Sequence, residues 1–214
     1  MTFANGQPHE GGTETKERIL EAALTVFGEK GYHNATIAEI AEEAGIGKGT
    51  VYWYFSSKEE LFAGMVDHGI GVLEGKLYTI LSNQTLDFPK LLKLFVHTYL
   101  EFTYYHRHLA RIFLHSVPGM RGGFEEKFFE WRQRFSKVNT ELIRRGVNTG
   151  FFQRDFVVEW METALAGLTS AFIGRQIINE HEQEFAGETE FIYRLLVEGI
   201  GSKNKGVGQF EQDS

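Results

Sequence analysis

Apolar residues recur at three- and four-residue intervals along nearly the whole chain, and that period predicts a protein built of α-helices. Ile19, Leu20, Ala23, Leu24 and Phe27 share one face of a first helix over residues 13–30, with Gly31 as its stop. Ile37, Ile40, Ala41 and Ala44 form the apolar face of a second, shorter helix. Thr36 is placed to cap it, and Glu39, three residues on, completes a capping box. Gly45 follows where a left-handed residue is wanted, and apolar Ile46 pins that turn to a core. A third helix over residues 47–55 turns Val51, Tyr54 and Phe55 inward and leaves Lys48, Gly49, Thr50, Tyr52 and Trp53 outside. Small Ala41 lets the two short helices cross closely. Two short helices around a tight glycine turn make a helix-turn-helix.

The pattern continues downstream. Ser57 and Glu60 set up a second capping box that opens a long fourth helix over 57–81, a lever between the N-terminal unit and everything after it. Further helices are expected over 88–106, 108–116 (ended by Val117-Pro118-Gly119), 124–146, 156–180 and 189–199. Only three prolines interrupt the chain, and no internal repeat is visible. The fold class is therefore all-α. Four regions are expected: a disordered arm at 1–12, the helix-turn-helix unit at 13–60, a larger helical domain at 61–201, and a disordered tail at 202–214.

Composition narrows the classes. The 214 residues are 42% hydrophobic, enough for one substantial core or two modest ones. No cysteine is present, so disulfides and thiolate metal sites are out. The first twelve residues lack a charged and apolar leader pattern, and no apolar run reaches the ~18 residues of a membrane span, so a cytoplasmic protein without a membrane partner is expected. The charge argues mildly against nucleic acid, with 22 basic against 29 acidic residues and a net charge of −7. Residues 13–60 hold five basic side chains and nine acidic ones, but the glutamates fall mostly on the first two helices, away from the outer face of the third. Net charge governs non-specific attraction, not where a specific contact is made.

The segments ERILEAALTVFGEKGYHNAT, IAEIAEEAGIGKGTVYWYF and SSKEELF resemble the DNA-binding domain of the tetracycline-repressor (TetR) family of bacterial transcription regulators. The match runs over residues 15–61, about a quarter of the chain. It departs at Gly47, where many members carry serine or a larger residue. The resemblance implies a double-stranded DNA operator of inverted-repeat form, with Thr36, Lys48, Gly49, Thr50, Tyr52, Trp53, Tyr54 and Lys58 as contact residues. Exposed adjacent aromatics such as Tyr52 and Trp53 mark a binding surface on physical grounds too, whereas single lysines and helix caps occur in any protein. The resemblance also implies a regulator, most often a repressor, whose larger domain binds a small effector and forms a homodimer.

Two features of the larger domain fit those implications. Its helices are crowded with aromatic rings on more than one face, and by the resemblance Phe95, Tyr99, Phe102, Phe113, Phe128 and Trp131 would line a pocket for an apolar or aromatic effector. His97, Tyr99, Glu101 or His106 could anchor its polar atoms. A fully packed core without ligand is the alternative, since both look alike in sequence. Within residues 156–178, Ala164, Gly167, Ala171 and Gly174 form a narrow small-residue line bracketed by Trp160 and Ile178. Glycines inside a helix are costly without a close neighbour, and Leu168, Phe172, Phe191, Leu195 and Leu196 add apolar surface beside the line. By the resemblance, the last two long helices would form the dimer interface; packing inside one subunit is the alternative.

Other chemistry finds little footing. His97, Glu101, His108 and His115 fall near one face only if their helix is unbroken, and no tight H-x-x-x-H pair is present, so no metal and no other cofactor is expected. Gly47–Thr50 reads GKGT, but the first glycine of a phosphate-binding loop would fall at Glu42. Nothing pairs a nucleophile with a base, and no enzyme is expected. An interaction scaffold is the other rival.

Overall fold

The computed structural model describes residues 10–115, 124–178 and 184–198. Among them all regular structure is helical: α1 (Glu10–Asn34), α2 (Ile37–Glu43), α3 (Lys48–Tyr54), α4 (Lys58–Ser82), α5 (Phe88–Tyr105), α6 (Arg107–His115), α7 (Phe124–Asn148), α8 (Val158–Ile178) and α9 (Phe185–Glu198). The all-α architecture, a helix-turn-helix unit followed by a larger helical domain, is as the periodicity predicts.

The N-terminal unit forms around α1, which buries Ile19, Leu20, Ala23, Val26 and Phe27 and packs on α2 and α4. Gly31 adopts φ +75° and ψ 161°, outside helical geometry, so the first helical run stops there as expected and a separate short turn follows before α2. α1 also starts at Glu10, three residues before the expected position. At α2 the capping box is complete: the Thr36 hydroxyl accepts from the Glu39 amide at 3.3 Å, and the Glu39 carboxylate accepts from the Thr36 amide at 2.9 Å. Gly45 takes φ +64°, and the Ile46 amide returns to the Ala41 carbonyl at 2.9 Å. That closes the turn.

Glu39 also meets the Lys30 ammonium at 2.8 Å. The Lys30 bond first, and the Thr36 bonds next, hold its carboxyl at about 2 against an ordinary 4.5. Its folded value is the depressed one, so the cap is intact above pH 4.5 and opens as pH falls toward about 2. A carboxyl-carbon NMR titration should place the Glu39 midpoint near 2; a midpoint at 4.5 would mean the cap is not formed in solution.

α4 begins differently from expectation. The Ser57 hydroxyl accepts from the Glu60 amide at 3.1 Å, but the Glu60 carboxylate reaches back to Ser56, not Ser57. Ser56 presents its amide at 2.7 Å and its hydroxyl at 2.5 Å to one carboxylate oxygen, two donors where a capping box offers one. From there α4 runs unbroken past residue 60 and on to Ser82, burying Phe62 and Val66 under α1 and Ile70, Leu73 and Leu77 in the larger domain.

In that domain α5 packs on α4, α8 and α9, while α7 crosses α4 and α8. Arg134 of α7 ties the two long helices together, donating to Asp67 at 2.6 Å and to Glu74 at 2.9 Å. The short α6 is wedged between α1 and α4, each of which offers a glycine. A Cβ on Gly28 would lie 2.4 Å from His108, and one on Gly69 would lie 2.3 Å from Leu109. At Gly28 the clash falls on the base of the His108 side chain and leaves no room for a Cβ, whereas at Gly69 it falls on the end of the Leu109 side chain, which can turn aside.

α9 starts at Phe185 rather than 189, and α8 at Val158 rather than 156. The arm at 1–9, the Val117-Pro118-Gly119 break and the tail at 202–214 lie outside the described residues.

Candidate functional site

The outer face of α3 carries Lys48, Gly49, Thr50, Tyr52 and Trp53 together, all exposed. Inward-facing Val51 and Phe55 are buried and fix the roll of the helix, which leaves Tyr52 at 47% and Trp53 at 78% exposure. Lys48 places its ammonium 5.7 Å from the centre of the Tyr52 ring. Tyr54 is half-buried, its ring edge-on to Trp53 at 4.6 Å. Thr36 stands at the exposed start of α2. Lys58 is engaged with the end of α1, its ammonium over the Tyr32 ring at 4.8 Å and donating to the His33 carbonyl at 3.2 Å. No acidic residue lies on α3, and Glu39 and Glu60 are occupied in caps. The outer face of α3 itself carries Lys48 and no carboxylate, although the chain as a whole is acidic.

A second site lies in the larger domain. A small, partly open chamber of about 50 Å³ sits among α4, α5, α6, α7 and α8, walled by Ile70, Leu73, Phe102, Leu109, Ala110 and Ile173. Its polar atoms come from Tyr99, Thr103, His106 and Ser170. Thr103 donates to carbonyls of its own helix. Burial first, and the charge of Lys76 next, hold the His106 imidazole below its ordinary value. Burial, then the charge of Glu162, pushes the Tyr99 hydroxyl up. Both are neutral near pH 7, so no formal charge lines the chamber.

A wider groove of about 630 Å³ runs outside it between α7 and α8. Its walls include Phe128, Phe129, Arg132, Gln133, Asn139, Glu162 and Gly167. Tyr99, Phe135 and Ser170 line both spaces. The inner space is apolar and uncharged, and the outer one carries the charges.

The aromatic residues singled out by sequence divide accordingly. Tyr99 and Phe102 line the chamber, and Phe128 lines the groove. Phe95 and Trp131 line neither. Phe95 is fully buried in the core, and Trp131 is buried with its indole N–H donated to Asp67 at 3.3 Å. The side chain of Phe113 lies outside the described residues. The walls that sequence reasoning missed are the aliphatic residues of α4, α6 and α8 and the Phe135 ring of α7. Of the polar anchors, Tyr99 and His106 face the chamber, whereas His97 lies edge-on to Phe185 at 6.1 Å.

The presumed histidine face disperses as well. The helix breaks at His106, and His108 packs on Gly28; among the described residues no group of three potential metal ligands gathers.

On α8, Trp160 is 74% and Ile178 78% exposed, with Ala164, Gly167 and Ala171 also open and Gly174 half-buried. A Cβ on Gly167 or Gly174 would meet nothing within 4 Å. Leu168 and Phe172 are half-buried toward α9, where Phe172 meets exposed Phe191 at 5.9 Å and Leu195 is half-buried. The small-residue line therefore does not pack inside this subunit.

A helix-turn-helix with an outward aromatic and lysine face, followed by a helical domain with an apolar chamber, defines a DNA-binding protein of the regulator class. Residues 19–65 match the family model for bacterial regulatory proteins of the tetR family, so the helix-turn-helix unit is of that family's DNA-binding type. It is 20% identical over 186 residues to the fatty acid metabolism regulator protein of Bacillus subtilis, covering 87% of this chain and 95% of that one. It is 28% identical over 147 residues to the HTH-type transcriptional repressor KstR2 of Mycolicibacterium smegmatis, covering 67% of this chain and 70% of that one. The fold matches the crystal structure of the Bacillus subtilis transcriptional regulator FadR in complex with stearoyl-CoA. The TM-score is 0.76 at 19% identity, covering 86% of this chain and 99% of that one. Among the described residues, no helix is long and apolar enough to cross a membrane.

Proposed function

We propose that this chain is a cytoplasmic repressor that holds an inverted-repeat operator as a homodimer and releases it when a long apolar effector with a polar head enters the larger domain. The observation that carries the reading is that one rigid helix serves both sites. α4 buries Phe62 in the DNA-reading unit and, two turns on, walls the chamber with Ile70 and Leu73. A chamber of about 50 Å³ is far below the ~300–1,000 Å³ of ordinary ligand pockets, so an occupant must move its walls. Those walls are α4 itself and α6, which bears on α1 through His108 and Gly28. Their displacement would tilt the recognition helices out of register with successive major grooves, whose centres lie ~34 Å apart. A coupling of about 1–3 kcal/mol would weaken operator binding ~5–150-fold.

The effector class rests on the uncharged inner wall and the charged groove outside it. Likeness to a fatty acid metabolism regulator and to a fold that holds stearoyl-CoA supports an acyl chain with a charged head. The test is an operator selected from random duplexes, followed by titration of the complex with stearoyl-CoA. Release at micromolar concentration is expected, and an operator complex indifferent to it would overturn the effector assignment. On the DNA side, Tyr52→Ala removes an exposed ring that supports no core and should cost about 1–3 kcal/mol of operator affinity at unchanged thermal stability. A gel-shift titration checks it, and undiminished affinity would take α3 out of the interface.

A further inference from the structure

The chamber and the groove adjoin, and two of the three side chains that line both are rings. Tyr99 of α5 and Phe135 of α7 line both spaces, and their centroids are 5.7 Å apart with planes at 54°. Everything on the chamber side is uncharged, and everything ionised, Arg132 and Glu162, is on the groove side. The third shared residue, Ser170, is too small to block passage. A chain lying in the groove therefore meets the ring pair end-on before it can go deeper.

We propose that Tyr99 and Phe135 form a gate that selects effectors by the length of their apolar chain, a reading that rests on the acyl effector assigned above. A short chain lies wholly in the groove, leaves the rings in place and does not disturb α4 or α6. A long chain turns the rings aside and drives its uncharged end against the chamber walls of the two helices, Ile70 and Leu73 of α4 and Leu109 and Ala110 of α6. A free carboxylate cannot lead, because the chamber offers it no cation. The head stays at the mouth. Length discrimination and response are then one event, since only a chain long enough to pass the rings reaches the helices that must move.

The experiment measures the affinities of the full chain for stearoyl-CoA and octanoyl-CoA by calorimetry, in wild type and two variants. Phe135→Ala takes away half the gate and its reorientation cost while both probes lose the same groove contact with the ring, so the stearoyl-to-octanoyl affinity ratio should rise about three- to tenfold. Ala110→Leu fills the chamber from α6 behind the gate, outside the groove, so stearoyl-CoA should weaken by about tenfold or more with octanoyl-CoA unmoved. Thermal melts accompany both variants, and because Phe135→Ala opens space where Ala110→Leu fills it, one retains the test if the other fails to fold. If stearoyl-CoA binds wild type but neither variant changes the stearoyl-to-octanoyl ratio, the gate is wrong and the effector assignment stands. If neither probe binds wild type, the acyl assignment itself fails and the gate with it.

Discussion

Replacing Gly174 with glutamate will leave a folded subunit that no longer dimerises and no longer holds its operator. The substitution is free of cost inside the subunit, because a Cβ at this position meets nothing within 4 Å. Glycine in a helix interior is about 0.5–1 kcal/mol less favourable than a good helix former, so α8 on its own gains by the change. In the proposed dimer the same position is where a second helix approaches most closely, and a desolvated carboxylate without a partner costs several kcal/mol there. The two effects have opposite signs, which makes the experiment decisive. Sedimentation at micromolar concentration should show a species of the chain mass, 24.4 kDa, with an unchanged or raised melting temperature. A single subunit reads only one half-site, so operator binding should fall to the non-specific level. A variant that still sediments as a dimer would move the interface away from this face.

Phe62→Ala will cost about 3–5 kcal/mol of stability, enough to unfold much of a marginal population. Phe62 is 1% exposed and lies edge-on to two rings of α1, Phe27 at 5.2 Å and Tyr32 at 4.9 Å. Truncation removes both contacts and leaves a cavity at the joint between the DNA-reading unit and the lever helix. Urea denaturation followed by far-ultraviolet circular dichroism should show the midpoint fall. Phe62→Leu, which keeps most of the volume, should lose much less. Equal losses would indicate that ring geometry rather than volume holds the joint.

The parts of this molecule that were legible in sequence are those set by neighbours within a few residues. Thr36 with Glu39, Gly45 after α2, and the outward set on α3 depend on helical period and local hydrogen bonds, and all of these fall where the pattern puts them. The misreadings share a different cause. Phe95, Tyr99 and Phe102 occupy one inward stripe of α5, and period alone cannot tell how deep each sits. The chamber opens only beside the second half of that helix, where Ala110 and Gly69 leave room. Trp131 was assigned to the pocket because its partner Asp67, on another helix, could not be foreseen. α9 starts four residues before the expected 189, with Gly187 in its first turn, where glycine costs less than in a helix interior. The Ser57 capping box failed at the level of one residue, where Ser56 offered the better pair of donors.

The seating of α6 has a consequence for how this chain and its relatives can diverge. Positions 28 and 108 share one volume, so the pair is a single steric allowance divided between two sites in the chain. A lineage that gains a methyl group at residue 28 must give up the imidazole at 108 or unseat the helix. Substitution at either member alone passes through a less fit intermediate, so the two positions should change together or stay fixed. Sequence drift in the DNA-reading unit is thereby tethered to drift in the effector domain, and a domain exchanged between two such regulators would work only if it carried the matching half of this pair.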